Sequence, residues 1–254
     1  MRLVFFDSLF RKMRTHEMLA NIVSWVAGLI IFIAGSLISI MAFPFDRWYR
    51  RRGDLIHIVS RYFGRSLLWA GRANVQVRGL ENLPQDRPCL ICANHQSLFD
   101  IALLDGYIPL QFRFVVKKEL FSVPLLGLCL IMENQIKLDR KNRRKGIESI
   151  RKGSELIKTG RSIAVFPEGT RSPDGTVKPF RKGSLLIATD SRIPVVPVTI
   201  DGSYNIMSKG SFRLHPGTVK VIVHPPIETE GLSREDQKVL GERVRQVVIE
   251  GMEQ

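Results

Sequence analysis

"PCLICANHQSLFDIALL", residues 88–104, changes character at its centre. The first half is a short apolar run closing at Asn94, the pattern of a strand buried on both faces. Behind Ser97 the apolar residues return at helical spacing, so a helix begins there. Strands that alternate with helices make an α/β domain, and the alternation continues along the chain. "NVQVRGL" (74–80), "FRFVVK" (112–117), "SIAVFP" (162–167), "PVVPVTI" (194–200) and "TVKVIVH" (218–224) are further short runs bounded by Gly, Pro or Asn. Helical patterns occupy 97–107, 119–133, 143–159, 182–191 and 233–252, with Ile147, Ile150 and Ile157 on one face of the third. The expected architecture is an α/β domain over residues 70–254, a mostly buried mixed sheet flanked by helices. There is no internal repeat, low-complexity tract or long linker.

Residues 1–69 read differently. No charged side chain occurs from Met18 to Phe45, a stretch longer than the ~20 residues that cross a bilayer as a helix. It starts too late and runs too long for a signal peptide, behind the amphipathic lead "LVFFDSLFRKM". The segment is therefore expected to be helical and membrane-associating. Arg11, Lys12 and Arg14 precede it and Arg47, Arg50, Arg51 and Arg52 follow it, whereas one span places basic clusters on one side. A break at Gly28 or at Gly35–Ser36 would instead give a two-helix hairpin that returns both basic ends to one surface. The flanking charges favour the hairpin over the single span.

Across the chain, 38 Lys and Arg face 24 Asp and Glu, a formal charge of +14. Such a surface attracts anions: phosphates, acidic lipid or nucleic acid. Nucleic acid is disfavoured, because no aromatic platform accompanies the charge and the apolar segment would be idle. Cys89, Cys92 and Cys129 form no disulfide framework and imply a reducing compartment. Cys89 and Cys92 sit at strand spacing and point to opposite faces as buried thiols. His16, His57, His95, His215 and His224 show no metal-ligand spacing, so neither a metal nor another cofactor is expected.

Chemistry in such folds collects where strands end and helices begin. At "NHQSLFD" (94–100), Ser97 and Asp100 match a capping box in outline, which leaves Asn94 and His95 unexplained. A histidine at a strand end, one turn from a carboxylate, can also donate Nδ1–H to it and present Nε2 as a base. The seven residues alone admit both readings. "SIAVFPEGTRSPDG" (162–175) is a second polar junction, where Arg171 offers a fork of donors suited to phosphate. Alone, it also fits a surface turn in which Glu168 and Arg171 pair.

Together the two junctions resemble a known family. "NHQSLFD" is similar to the N-H-x-x-x-x-D signature of the glycerolipid acyltransferases, and "FPEGTRS" (166–172) to their F-P-E-G-T-R-S signature. "FVVKKELFSVPLLG" (114–127) and "IKLDR" (136–140) resemble the intermediate block, and "IPVVPVTI" (193–200) the last proline-containing strand. In this chain "LDR" follows "ENQIK" rather than the glycine and aromatic pattern common there. The resemblance spans about residues 70–225 and is nearest to the bacterial 1-acyl-glycerol-3-phosphate acyltransferases.

The resemblance implies transfer of a fatty acyl group from acyl-CoA or acyl carrier protein to lysophosphatidic acid, giving phosphatidic acid. It implies His95 as general base and Asp100 as the group that orients it, without a covalent acyl-enzyme. Arg171 would grip the acceptor phosphate with Lys117, which the family pattern selects over Lys118. Glu168 would hydrogen-bond the glycerol, Gly169 would let backbone approach closely, and Thr170 would complete the substrate site. The basic run 137–152 would meet donor phosphates or anionic headgroups, or form a solvated helix face. The implied setting is the cytoplasmic face of a bacterial inner membrane. The same chemistry on another lysolipid, a lysophospholipid or lyso-ornithine lipid, or on glycerol 3-phosphate is the first alternative, and a membrane-surface protein that binds anionic lipid without turnover is the alternative from another class.

Overall fold

The structure, a computed structural model, describes residues 15–49, 53–139 and 143–253. Seven strands form one sheet: β1 (Ala73–Arg78), β2 (Leu90–Ala93), β3 (Phe112–Lys117), β4 (Ile136–Leu138), β5 (Ser162–Val165), β6 (Val195–Asp201) and β7 (Gly217–Val223). Their order is β1-β7-β6-β2-β5-β3-β4. All neighbours are parallel except β6 and β7, so the sheet is mixed as expected. β2 is central, with Leu90 opposite Ile163 on one side and Val195 on the other. All four of its residues are buried.

Side chains alternate across this sheet, which gives it two cores. Cys89, Ile91, Ala93, Val196 and Val198 face one. Leu90, Cys92, Ile163 and Val195 face the other. Cys89 and Cys92 thus do lie on opposite faces, and burial pushes the Cys89 thiol up to about 11 and Cys92 up as well.

On the first face, α2 (Asp54–Ala70) and α3 (Phe99–Tyr107) pack together; on the second lie α5 (Arg143–Ile157), α6 (Leu186–Ser191) and α8 (Arg234–Met252). α8 starts with a full capping box between Ser233 and Asp236, and its Leu240, Val244 and Val248 are buried. α4 (Leu126–Met132) and the short α7 (Ser203–Ile206) complete the helices described.

The pattern at 119–133 divides in two, a 3-10 turn over Lys118–Ser122 and then α4. Pro124 explains the break, since it has no N–H to donate and holds Val123 extended.

The expected break at Gly28 or Gly35–Ser36 does not occur. α1 runs without interruption over Thr15–Trp48. Ser36 Oγ donates to the Phe32 carbonyl within the helix at 2.7 Å, and at Gly35 the missing Cβ admits Phe63 of α2. The glycine serves packing, not a turn. The chain reverses later, before Gly53, where both oxygens of the buried Asp46 carboxylate accept N–H groups, Gly53 at 2.6 Å and Leu55 at 2.9 Å. Asp46 thereby caps the start of α2 from the end of α1. Gly35 meets Phe63 and Gly28 meets Leu67, so the helices run antiparallel. α2 packs on α1, but the hairpin expected within the apolar run does not form, because the whole run is one helix with Arg47 at the far end from Thr15. Arg11, Lys12, Arg14, Arg50, Arg51 and Arg52, on which the orientation argument rested, lie outside the described residues.

The burial pattern of α1 is inverted. Its buried residues are Asn21, Ser24, Ser36, Ser39 and Asp46, all polar. Val23, Leu29, Ile30, Met41, Phe45 and Trp48 are exposed. Among the described residues α1 is the helix long and apolar enough to cross a membrane, and its outward apolar face suits membrane association.

Candidate active site

The site grows from the end of β2. Asn94 turns inward, donating from Nδ2 to the Ile200 carbonyl and accepting the Ile200 N–H at Oδ1, each at 2.8 Å. This buried pair of bonds fixes the junction to β6, the role the sequence left unexplained. His95 follows, and its Nδ1–H donates to Asp100 Oδ2 at 2.8 Å. The same oxygen accepts the Gln96 and Ser97 amides at 2.6 and 2.8 Å. Asp100 is fully buried, and its Oδ1 has no hydrogen-bond partner among the described residues.

The two readings of "NHQSLFD" are therefore both partly right. Asp100 takes backbone amides at the helix start and also orients the imidazole. Ser97 Oγ does not bond the Asp100 amide; it donates to the Met207 carbonyl at 2.8 Å. With Nδ1 engaged, the ring presents Nε2 to the adjoining cavity, its side chain 14% exposed.

The second junction clamps the first. Glu168 Oε1 accepts the His95 amide at 2.7 Å and Oε2 the Lys178 amide at 3.3 Å, while the Ser172 amide donates to the His95 carbonyl at 2.8 Å. Both carboxylate oxygens of Glu168, which the resemblance assigns to the glycerol, face backbone here, and the residue is 3% exposed. Burial pushes its carboxyl up to about 7, although the two amides and Lys178 pull it down. Glu168 and Arg171 do not pair.

Phe166 lies beneath the imidazole, with ring centroids 4.1 Å apart and planes 17° apart, and Phe114 stacks behind it. The motif match drew attention to the charged residues, so this support was missed.

Gly169, Thr170, Arg171 and Lys117 line the cavity with His95. Gly169 has φ +76°, the left-handed region that turns the loop back. Lys118 instead donates to Asp139 at 2.8 Å, which explains both the preference for Lys117 and the acid of "LDR". Of the basic run 137–152, residues 140–142 lie outside the described residues. Lys152 donates to the Gln135 carbonyl and Arg151 pairs with Glu155.

The cavity has a volume of about 570 Å³, within the range of small-molecule sites. Phe32, Gly35, Ser36 and Ser39 of α1, Val59, Phe63 and Leu67 of α2, and Leu126, Cys129 and Leu130 of α4 form part of its wall. It is an apolar chamber with the His95 imidazole and the Arg171 guanidinium at one end.

Asp105, Glu133 and Gln135 also line it. His57, Asp105 and Glu133 converge so that their ligand-type atoms lie within 4.8 Å of one another, a cluster that sequence spacing did not show. His57 Nε2 faces the Leu110 carbonyl, which only accepts, so Nε2 carries a proton. Its Nδ1 lies 2.9 Å from Glu133, and one proton occupies that contact. Burial pushes Asp105 up, aided by Glu133.

The acyltransferase family model matches residues 74–201, half of the chain and the part that holds both junctions. The chain belongs to the acyltransferase family. This acyltransferase is 32% identical over 208 residues to the 1-acyl-sn-glycerol-3-phosphate acyltransferase of Pseudomonas aeruginosa, covering 79% of this chain and 77% of that one. It is 36% identical to the chloroplastic enzyme BAT2 of Brassica napus over 81% of this chain. It spans only 58% of that protein and 50% of a chloroplastic relative from Arabidopsis thaliana. The crystal structure of the 1-acyl-sn-glycerophosphate (LPA) acyltransferase PlsC from Thermotoga maritima superposes with a TM-score of 0.80 at 32% identity. That match covers 94% of this acyltransferase and 95% of PlsC, so it takes in α1 and α2 as well as the sheet.

Proposed function

We propose that this chain transfers a fatty acyl group from acyl-CoA or acyl carrier protein to the 2-hydroxyl of 1-acyl-sn-glycerol 3-phosphate, giving phosphatidic acid. The observation that carries this reading is the His95–Asp100 pair, whose imidazole lines a chamber that α1 and α2 help to wall. The names of the Pseudomonas aeruginosa and Thermotoga maritima proteins support the choice of acceptor.

In the first step His95 Nε2 removes the proton from the acceptor hydroxyl as its oxygen attacks the thioester carbonyl. Asp100, held by the Gln96 and Ser97 amides, stabilises the imidazolium. The face of Phe166 adds a cation–π contribution to the same charge. In the second step the tetrahedral intermediate expels the thiolate, and the imidazolium returns the proton to it. The ester and the free thiol leave without a covalent acyl-enzyme.

Glu168 acts as a positioning residue, fixing the His95 main chain from below. Arg171 and Lys117 receive the acceptor phosphate at the rim, beside Thr170 and Gly169. The chamber takes an acyl chain. An acceptor whose own chain partitions into lipid gains concentration and orientation from the apolar face of α1. The setting that suits both the donors and the basic surface is the cytoplasmic face of the inner membrane.

The test is thiol release from acyl-CoA, and from acyl carrier protein, with four acceptors: glycerol 3-phosphate, 1-acyl-glycerol 3-phosphate, lysophosphatidylethanolamine and lyso-ornithine lipid. Preference for the second is expected. Preference for another lysolipid would overturn the acceptor and keep the chemistry, while no release with any of them would favour lipid binding without turnover.

A further inference from the structure

The loop 207–216, between α7 and β7, joins two parts of the molecule that its position alone does not connect. At its start, the Met207 carbonyl accepts the Ser97 hydroxyl, two residues from His95. Lys209 Nζ then donates to Thr170 Oγ1 at 3.4 Å, on the rim beside Arg171. The partner of this ammonium is a neutral hydroxyl, so its charge is available to an anion.

At its other end the loop is bound to α1. Asn21 donates to the Leu214 carbonyl at 3.2 Å and accepts the Leu214 amide at 2.6 Å, in a buried contact. One turn further along α1, Trp25 Nε1–H donates to the Phe212 carbonyl at 2.8 Å, and the two rings lie 6.0 Å apart. The Phe212 side chain is nevertheless 65% exposed. Ile22, Val26 and Leu29, next to Asn21 and Trp25 along α1, are exposed as well.

We propose that loop 207–216 is a second membrane contact, which seats Phe212 in the surface of an anionic bilayer and presents Lys209 to the phosphate of a phosphomonoester lipid. A phosphomonoester carries more charge than a phosphodiester and offers more acceptor oxygens, so it uses a cation placed beside the Arg171 fork. An aromatic ring at the lipid surface adds apolar burial where α1 already lies. The inference rests on the acceptor reading above and adds the route by which the headgroup reaches the site.

The experiment uses the full chain and its Lys209→Met and Phe212→Ser variants, with circular dichroism as the check on folding. Flotation is measured with phosphatidylcholine vesicles carrying either phosphatidic acid or phosphatidylglycerol at matched surface charge. The wild type is expected to bind the phosphatidic acid vesicles more tightly. Lys209→Met should abolish that difference, and Phe212→Ser should weaken binding to both by about tenfold. In turnover, Lys209→Met should raise the KM for 1-acyl-glycerol 3-phosphate about tenfold and leave the donor KM unchanged. Phe212→Ser should impair only acceptor presented in vesicles, not a short-chain acceptor below its micelle concentration. Variants that match the wild type in flotation, or a Lys209→Met loss that is equal for both lipids, would overturn the proposal. If flotation behaves as expected while 1-acyl-glycerol 3-phosphate is not acylated, the acceptor reading fails and the loop contact stands.

Discussion

Replacing Glu168 by Gln separates two roles that the motif cannot distinguish. The carboxylate accepts two backbone amides, His95 at 2.7 Å and Lys178 at 3.3 Å. A glutamine keeps one acceptor oxygen and turns an NH₂ toward the second amide, so one hydrogen bond to a charged group is lost, about 1.5–3 kcal/mol. Because the His95 amide belongs to the residue proposed as the base, the loss should appear as a kcat lowered by about 10- to 100-fold. The KM for the acceptor should change by no more than about twofold. Steady-state kinetics with acceptor and donor each varied give both numbers.

Stability provides a second readout with a defined sign. The folded Glu168 value of about 7 lies above its ordinary 4.5, so the folded chain holds this proton more tightly than the unfolded chain does. That stabilising contribution is complete below pH 4.5 and is lost as pH rises through 7. The wild type should therefore lose melting temperature relative to Glu168→Gln between about pH 5 and 8, while its kcat advantage over the variant grows across the same window. A raised acceptor KM with unchanged kcat would refute the positioning role and restore direct contact with substrate.

His95→Ala should remain folded and lipid-associated while turnover falls by about 100- to 10,000-fold; near-normal thiol release would remove His95 as the base. Asp100→Asn should also impair turnover, since the amide still holds the ring and does not stabilise the imidazolium; activity equal to wild type would leave Asp100 a helix-start residue alone. Arg171→Lys retains charge and loses the fork, so the KM for the phosphate-bearing acceptor should rise more than that for the donor, and an equal rise in both would count against it. Cys129→Trp places an indole in the chamber wall and should shift preference toward shorter acyl donors, read from a chain-length series; an unchanged profile would place the chain elsewhere.

The parts of the fold that were legible in the sequence were those with an uninterrupted local signal. β1, β2, β3, β5, β6 and β7 coincide with short runs that Pro, Gly or Asn delimit, and α8 with the helical pattern over 233–252. β4 is only three residues, Ile136–Leu138, too short to show a period. The reversal of the N-terminal segment was misplaced because glycine was read as a breaker, whereas Gly35 lies against Phe63 and only the tertiary contact shows that. His95 and Asp100 were visible because their partnership is local, five residues apart. The work of Glu168 was not, since its partners are the amides of His95 and Lys178, and main-chain groups carry no sequence signature. The His57–Glu133 contact joins residues 76 positions apart through the packing of α2 on the domain.

Four residues of α1, Phe32, Gly35, Ser36 and Ser39, line the chamber together with His95. The anchor and the substrate pocket are therefore one structure, and removing the first unroofs the second. Deleting the first 45 residues would take away Phe32, Gly35, Ser36 and Ser39 and open that side of the chamber to water. The route that keeps the chamber closed is to replace outward residues such as Val23, Leu29 and Met41 with polar ones and retain the inward ones. Dispersal in water and hydrolytic loss of the acyl donor are then independent properties, each assignable to a different face of the same helix.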